Sequence, residues 1–143
     1  MPRRPTMPPL SRTADVGRAT WDAAIAYATR RGAMVIVDPP ATWTAAKNIS
    51  EAAIAALVGR SPNAALYYPR LRAPDPLRGN QVASFAPCGA VAGICARMDA
   101  AHGVWTAPAG PEAAVLGVEG LSGALSEGQL STLGAMGVNG LRA

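Results

Sequence analysis

The spacing of apolar residues divides the chain into alternating helical and extended segments. Over 18–31, Trp21, Ala24, Ile25 and Ala28 recur about every 3.6 residues, which predicts an amphipathic helix stopped by Gly32. Residues 34–37 (Met-Val-Ile-Val) form a continuous apolar run, closed by Asp38-Pro39-Pro40. A helix, a tight glycine turn and an unbroken apolar strand point to a strand covered on both faces, as in α/β domains. Over 44–58, Ile49, Ala53, Ile54, Leu57 and Val58 share one face of a second predicted helix, with Thr42 or Thr44 as N-cap and Gly59 as stop. Residues 64–68 (Ala-Ala-Leu-Tyr-Tyr) predict the next strand.

Residues 69–79 read as a loop, with prolines at 69, 74 and 76 and a glycine at 79. A third helix is predicted over 87–101, with Pro87 in its first turn and Gly103 after its end. Gly89, Ala92, Gly93 and Ala96 leave one of its faces nearly bare, so Pro87, Gly89 and Gly93 mark a helix suited to close packing. Residues 104–111 read as loop with room for a short strand, and 114–118 as extended. Ser126 and Gln129 form a capping box that opens a short helix to about 133. Residues 138–141 begin a further strand. The expectation is an α/β fold: a small mixed sheet of strands near 34–37, 64–68, 114–118 and 138–142, with helices packed on it and one sheet edge bare. Residues 1–13, rich in proline and arginine, are expected to be an extended, mobile leader to a domain over 14–143.

Composition supports a packed core. The 143 residues are 50% hydrophobic and 15% charged, which is too apolar for a disordered chain. Aromatic residues are scarce, so the core is mostly aliphatic. The longest apolar run, 85–96, is broken by Pro87 and two glycines and falls short of the roughly 20 residues a bilayer span needs. No direct membrane insertion is expected. The N-terminus has no apolar stretch of the kind a signal peptide carries.

Net charge is +4 and uneven. Arg3, Arg4 and Arg12 lie in the leader; Arg70, Arg72 and Arg78 lie in the second proline-rich stretch. Neither stretch interleaves aromatics that would stack on bases, so nucleic acid is not the expected partner. Arg70, Arg72, Asp75 and Arg78 read equally as a solvated loop and as a contact between subunits.

Candidate chemistry is sparse. Cys88 and Cys95 fall on one helix face two turns apart, too far for a disulfide, and His102 alone gives no second ligand pair for a metal. Cys88 near a helix N-terminus would have a lowered thiol pKa, but a nucleophile also needs a base and an orienting group. Both cysteines read better as small buried apolar residues, reduced in a cytosolic setting. Gly89-x-x-x-Gly93 lacks the Lys-Ser/Thr of a phosphate loop. Asp38 sits at a strand end, where α/β folds often place a site. Asp38, Asp75, Asp99 and Glu112 are otherwise typical turn and surface carboxylates. No catalytic residue, cofactor or metal ligand is assigned.

Several motifs in series resemble contractile phage tail sheath proteins. They are Ala64-Ala-Leu-Tyr67-Tyr68-Pro69 followed by Pro74-Asp-Pro76; Pro87-x-Gly89-Ala-Val-Ala-Gly93 followed by Ala96-Arg-x-Asp99; Gly103-Val-Trp105-x-Ala107-Pro108-Ala-Gly110; and Leu116-x-Gly-Val118 to Leu121, ending at Gly137-Val-Asn139. Their order and spacing match the family over roughly the last eighty residues. Cys88 and Cys95 replace the family's usual serine and aromatic residue. The resemblance implies a structural subunit, not an enzyme. Its partners would be other sheath subunits in a helical assembly, the inner tail tube protein and the baseplate. The setting would be the virion tail or a tail-like particle, assembled in the bacterial cytoplasm, that contracts to drive the tube through a target membrane. The family continues into a C-terminal domain and arm, so the chain is expected to be a fragment or a truncated product. The alternative consistent with strand–helix alternation is an α/β enzyme or nucleotide-binding domain.

Overall fold

A computed structural model describes residues 4–11 and 14–142. Arg3 and Arg12, counted in the basic leader, lie outside the described residues. The first element is helix α1 (Arg18–Arg31), which buries Trp21 and Ala28 and ends where the Gly32 N–H donates to the Ala28 and Thr29 carbonyls. Strand β1 (Val35–Val37) follows, buried at all three positions. The expected second helix is shorter: a 3-10 turn (Ala46–Asn48) precedes helix α2 (Glu51–Leu57). Ile49 is extended between them, and the Ser50 hydroxyl, not Thr42 or Thr44, accepts the Ala53 N–H that caps α2. A short polar side chain that can claim a backbone amide starts a new helix more readily than it continues an old one.

Strand β2 (Ala64–Tyr68) is joined by Pro69 and Arg70 to β3 (Leu71–Asp75), which turns through a 3-10 segment (Pro76–Arg78) into β4 (Gln81–Phe85). The expected loop over 69–79 is thus half of a hairpin. Pro74 is tolerated in β3 for a geometric reason. Its nitrogen faces the side on which β3 meets β5 (Gly120–Leu121), and β5 reaches only Leu71 and Arg72, so no ladder bond is lost. Helix α3 (Cys88–His102) follows with Pro87 just outside it, and helix α4 (Glu127–Ala135) opens with the full Ser126–Gln129 capping box. Strand β6 (Val138–Gly140) ends the described elements.

The fold is mixed α/β, as expected, but the single expected sheet is two. β1, β2 and β6 make a parallel sheet with β2 in the centre; β4, β3 and β5 make an antiparallel one. Residues 114–118 belong to neither. Gly117 has φ +77, a left-handed conformation that ends an extended run, and the Glu112 and Ala114 carbonyls accept from Arg97 Nη2 in place of a ladder.

Strand alternation sorts the core into two layers around the parallel sheet. Val35, Val37, Leu66, Tyr68 and Val138 join Trp21, Ala28 and Leu133 on the side of α1, α2 and α4. Ile36 and Tyr67 pack with Cys88, Val91 and Cys95 on the side of α3. Neighbouring residues of one strand serve opposite cores because successive side chains point to opposite faces.

The described part of the leader is docked against β1 and the larger core at residues 4–7. The Ile36 N–H donates to the Pro5 carbonyl at 3.3 Å, Thr6 bridges Ile36 in parallel, and Met7 packs on the larger core. Arg4 forms an ion pair with Asp99, whose side chain is buried on α3. The β1 edge is therefore partly covered, whereas β6 has no further strand neighbour among the described residues.

Candidate functional site

The crevice at the C-terminal ends of parallel strands is where an α/β fold offers a site, and here it is filled with polar side chains. Asp38 follows β1 directly, and Arg70 follows β2 after Tyr68 and Pro69. Asp38 Oδ1 accepts the Cys88 N–H at 2.8 Å, so a carboxylate from the sheet caps the first turn of α3. Arg70 Nη1 donates to the Pro39 carbonyl at 3.3 Å and faces Asp15 Oδ1 at 3.4 Å. Asp15 in turn accepts the Ala41 N–H. The Arg70 backbone is also held: its N–H donates to Ser122 Oγ, and its carbonyl accepts the Ser122 N–H. A cavity of about 10 Å³ remains, walled by Trp21, Asp38, Pro39, Asp15 and Arg70 among others.

This arrangement suits positioning better than reaction. Burial is the main force that raises the Asp38 carboxyl above its ordinary pKa, opposed by its bonds from Cys88 and by the Arg70 charge. The Cys88 thiol is pushed up to about 12, first by burial and then by Asp38 beside it. The helix N-terminus, expected to lower this pKa, is outweighed, and a thiol held neutral is a poor nucleophile. Burial also pushes the Cys95 thiol up. Both cysteines are free and buried, as read from the sequence. His102, at the other end of α3, pairs with Glu112 Oε2 at 2.8 Å and so is remote from Cys88. Among the described residues no group of side chains is placed to hold a metal ion, and no helix is long and apolar enough to cross a membrane.

The four residues expected on one loop separate. Arg70 and Asp75 are interior, at 4% and 3% exposure, while Arg72 and Arg78 are exposed. Asp75 Oδ1 accepts the Leu77 N–H and shapes the hairpin turn. Arg70 is therefore a structural group and not a surface contact. The expected close packing at Gly89 and Gly93 is also not found among the described residues. Both are exposed on α3, and a Cβ added at either would meet nothing within 4 Å. Pro87 itself is buried.

Tyr67 is half-buried against α3, whereas Tyr68 and Pro69 are buried. Trp105 stands 84% exposed at the head of the segment that carries Pro108 and Gly110, and Leu116, further along it, is 78% exposed. The Trp105 ring crosses Gly103 so closely that an added Cβ would lie 2.3 Å from it. Only glycine allows that turn. A groove of about 490 Å³ opens on the opposite side of the sheet, between α2 and α4, lined by Ile54, Val58, Ala64, Leu66 and Met136 with Arg60 at hand. Sequence reasoning found Asp38 at its strand end but missed Asp15, Trp21 and Ser122 as its companions. Nothing in local spacing connects these distant positions.

Neither a family model nor a curated protein sequence matches the chain. Solved structures do. A chain of the anti-feeding prophage baseplate, seen by cryo-electron microscopy, matches with a TM-score of 0.65 and 26% identity over 87% of this chain. A chain of the helical sheath of the same particle in its contracted state matches with a TM-score of 0.61 and 25% identity, also over 87%. The matched region is 30% and 31% of those chains, so this chain spans about a third of their length. Its fold is shared with structural components of a contractile, prophage-derived particle.

Proposed function

We propose that the chain is a structural domain of a contractile injection machine, and specifically the α/β part of a sheath subunit that assembles around an inner tube and contracts to drive it through a target membrane. The observation that carries this reading is the match of 87% of the chain to components of one contractile particle, a contracted sheath among them. The sheath-like motifs between Ala64 and Asn139 support it independently, since they lie in the matching order along the chain.

The partners on this reading are other sheath subunits, the tube protein and the baseplate, met in a virion tail or tail-like particle. Subunits that stack helically use unlike surfaces on the two sides of each contact, because identical patches would close into a dimer. Arg72 and Arg78 on the hairpin, and Trp105 on the loop beyond α3, are exposed side chains that could make such contacts. The chain acts without catalysis on this reading: the strand-end crevice holds only about 10 Å³, and Asp38 Oδ1 and Arg70 Nη1 hold the start of α3 and the Pro39 carbonyl in place.

Electron microscopy of the full-length product co-expressed with its tube protein tests the proposal. Hollow, regularly striated cylinders around the tube are expected. A dispersed monomer with no affinity for the tube would overturn it.

A further inference from the structure

Among the described residues, three buried side-chain polar atoms have no hydrogen-bond partner: Trp21 Nε1, Asp38 Oδ2 and Arg70 Nε. Their residues are 1%, 6% and 4% exposed, so bulk solvent does not reach them. All three residues line the same cavity of about 10 Å³ at the strand ends. An unpartnered buried donor or acceptor is destabilising, and three on residues that line one cavity call for a common partner.

The chemistry of the three atoms selects that partner. The Trp21 indole and the Arg70 Nε are donors, and Asp38 Oδ2 is an acceptor. A cation would meet two N–H groups pointing at it. An anion would meet the carboxylate. A water molecule accepts twice and donates, which matches two donors and one acceptor, and a cavity of roughly 10–15 Å³ is the room one water needs. The other Asp38 oxygen and Arg70 Nη1 are already engaged, which restrains the carboxylate and guanidinium from turning to satisfy each other.

We propose that this cavity is a specific binding site for one ordered water molecule, which accepts from Trp21 Nε1–H and Arg70 Nε–H and donates to Asp38 Oδ2. The water joins α1, the end of β1 and the β2–β3 junction by directional bonds. It closes the crevice that in other α/β folds admits a ligand, and so turns an open position of the fold into a fixed joint.

High-resolution crystal structures of the chain and of Asp38→Asn test this. In the wild type a single water peak within about 2.7–3.2 Å of all three atoms is expected, and the Trp21 indole proton should show cross-relaxation with a long-lived water that the exposed Trp105 indole does not. In Asp38→Asn the Cys88 N–H keeps the amide oxygen on its side, so the amide NH₂ faces the cavity. The water then has three donors and no acceptor, and its peak should vanish. If Asp38→Asn does not fold, Trp21→Phe serves in its place: the peak should persist on Arg70 and Asp38. A wild-type structure in which the indole bonds Asp38 directly with no water between, a peak too strong for water, a peak unchanged in Asp38→Asn, or a peak absent in Trp21→Phe would each overturn the proposal.

Discussion

The two sheets of this small protein are built on opposite terms. The parallel sheet is covered on both faces, and its strands carry Val35, Ile36, Val37, Leu66 and Tyr68 into two cores. The antiparallel sheet is one hairpin and a two-residue strand, and Gln81, Val82 and Ser84 along β4 are exposed. Side-chain burial holds the first together; backbone pairing holds the second, tied to the end of the first by the Arg70 bond to the Pro39 carbonyl. The lesson is a division of labour. The parallel sheet carries the buried core, while the hairpin leaves much of its surface exposed.

Arginines on either side of the junction should break this comparison most sharply. Arg70→Glu places a buried negative charge beside Asp15 and Asp38, with an expected loss of about 5 kcal/mol or failure to fold. Arg72→Glu with Arg78→Glu should leave thermal unfolding nearly unchanged and, if the hairpin is a contact surface, reduce assembly seen by electron microscopy. Next comes truncation within each region. Trp21→Ala should destabilise by about 3–5 kcal/mol, and Val82→Ala by no more than about 0.5 kcal/mol, both read by denaturant melts. Equal losses would contradict the division.

Thiol reactivity extends the contrast to kinetics. With its pKa near 12, native Cys88 should react with a maleimide at pH of about 8 at least roughly a thousandfold more slowly than a cysteine introduced as Ser84→Cys on β4. Comparable rates would mean that α3 opens readily. A smaller effect is expected at the leader. Arg4→Ala leaves the buried Asp99 carboxylate without its partner, for a loss of about 1–3 kcal/mol in melts at neutral pH.

The subtlest test is pH. Burial raises the Asp38 carboxyl, so the native state takes up this proton at higher pH than the unfolded chain does. The stability owed to this group therefore rises as pH falls through the raised range, down to the ordinary carboxylate value. Asp38→Asn removes that dependence, so the wild type should gain on the variant as pH drops from about 7 toward about 4. A constant difference would show that the group is not held in this way.

What was legible in the sequence follows the same divide. β1 and β2 could be read because burial on both faces demands an unbroken apolar run, and α4 because Ser126 and Gln129 are local signals of its start. The hairpin could not, because Pro74 and Asp75 argue against a strand, and only the position of β5 shows why they are allowed. Arg70 was read as surface because arginine usually is. Its burial depends on Asp15, Pro39 and Ser122, which lie far away along the chain. The glycines of α3 misled in the opposite direction: small residues permit close approach without requiring it. At the candidate site one residue of the cluster, Asp38, announced itself, and it did so through the strand that precedes it.

The direct passage of β2 into β3 has a mechanical consequence. Only Pro69 and Arg70 separate the central strand of the parallel sheet from the hairpin. A pull on the hairpin reaches β2 through these two residues, and the bonds of β2 to β1 over Ala64–Leu66 and to β6 over Leu66–Tyr68 resist its displacement together. Bonds loaded in parallel share the force, whereas bonds opened one after another each bear it alone. The junction thus acts as a tie rod, passing tension from an exposed hairpin to the central strand of the parallel sheet.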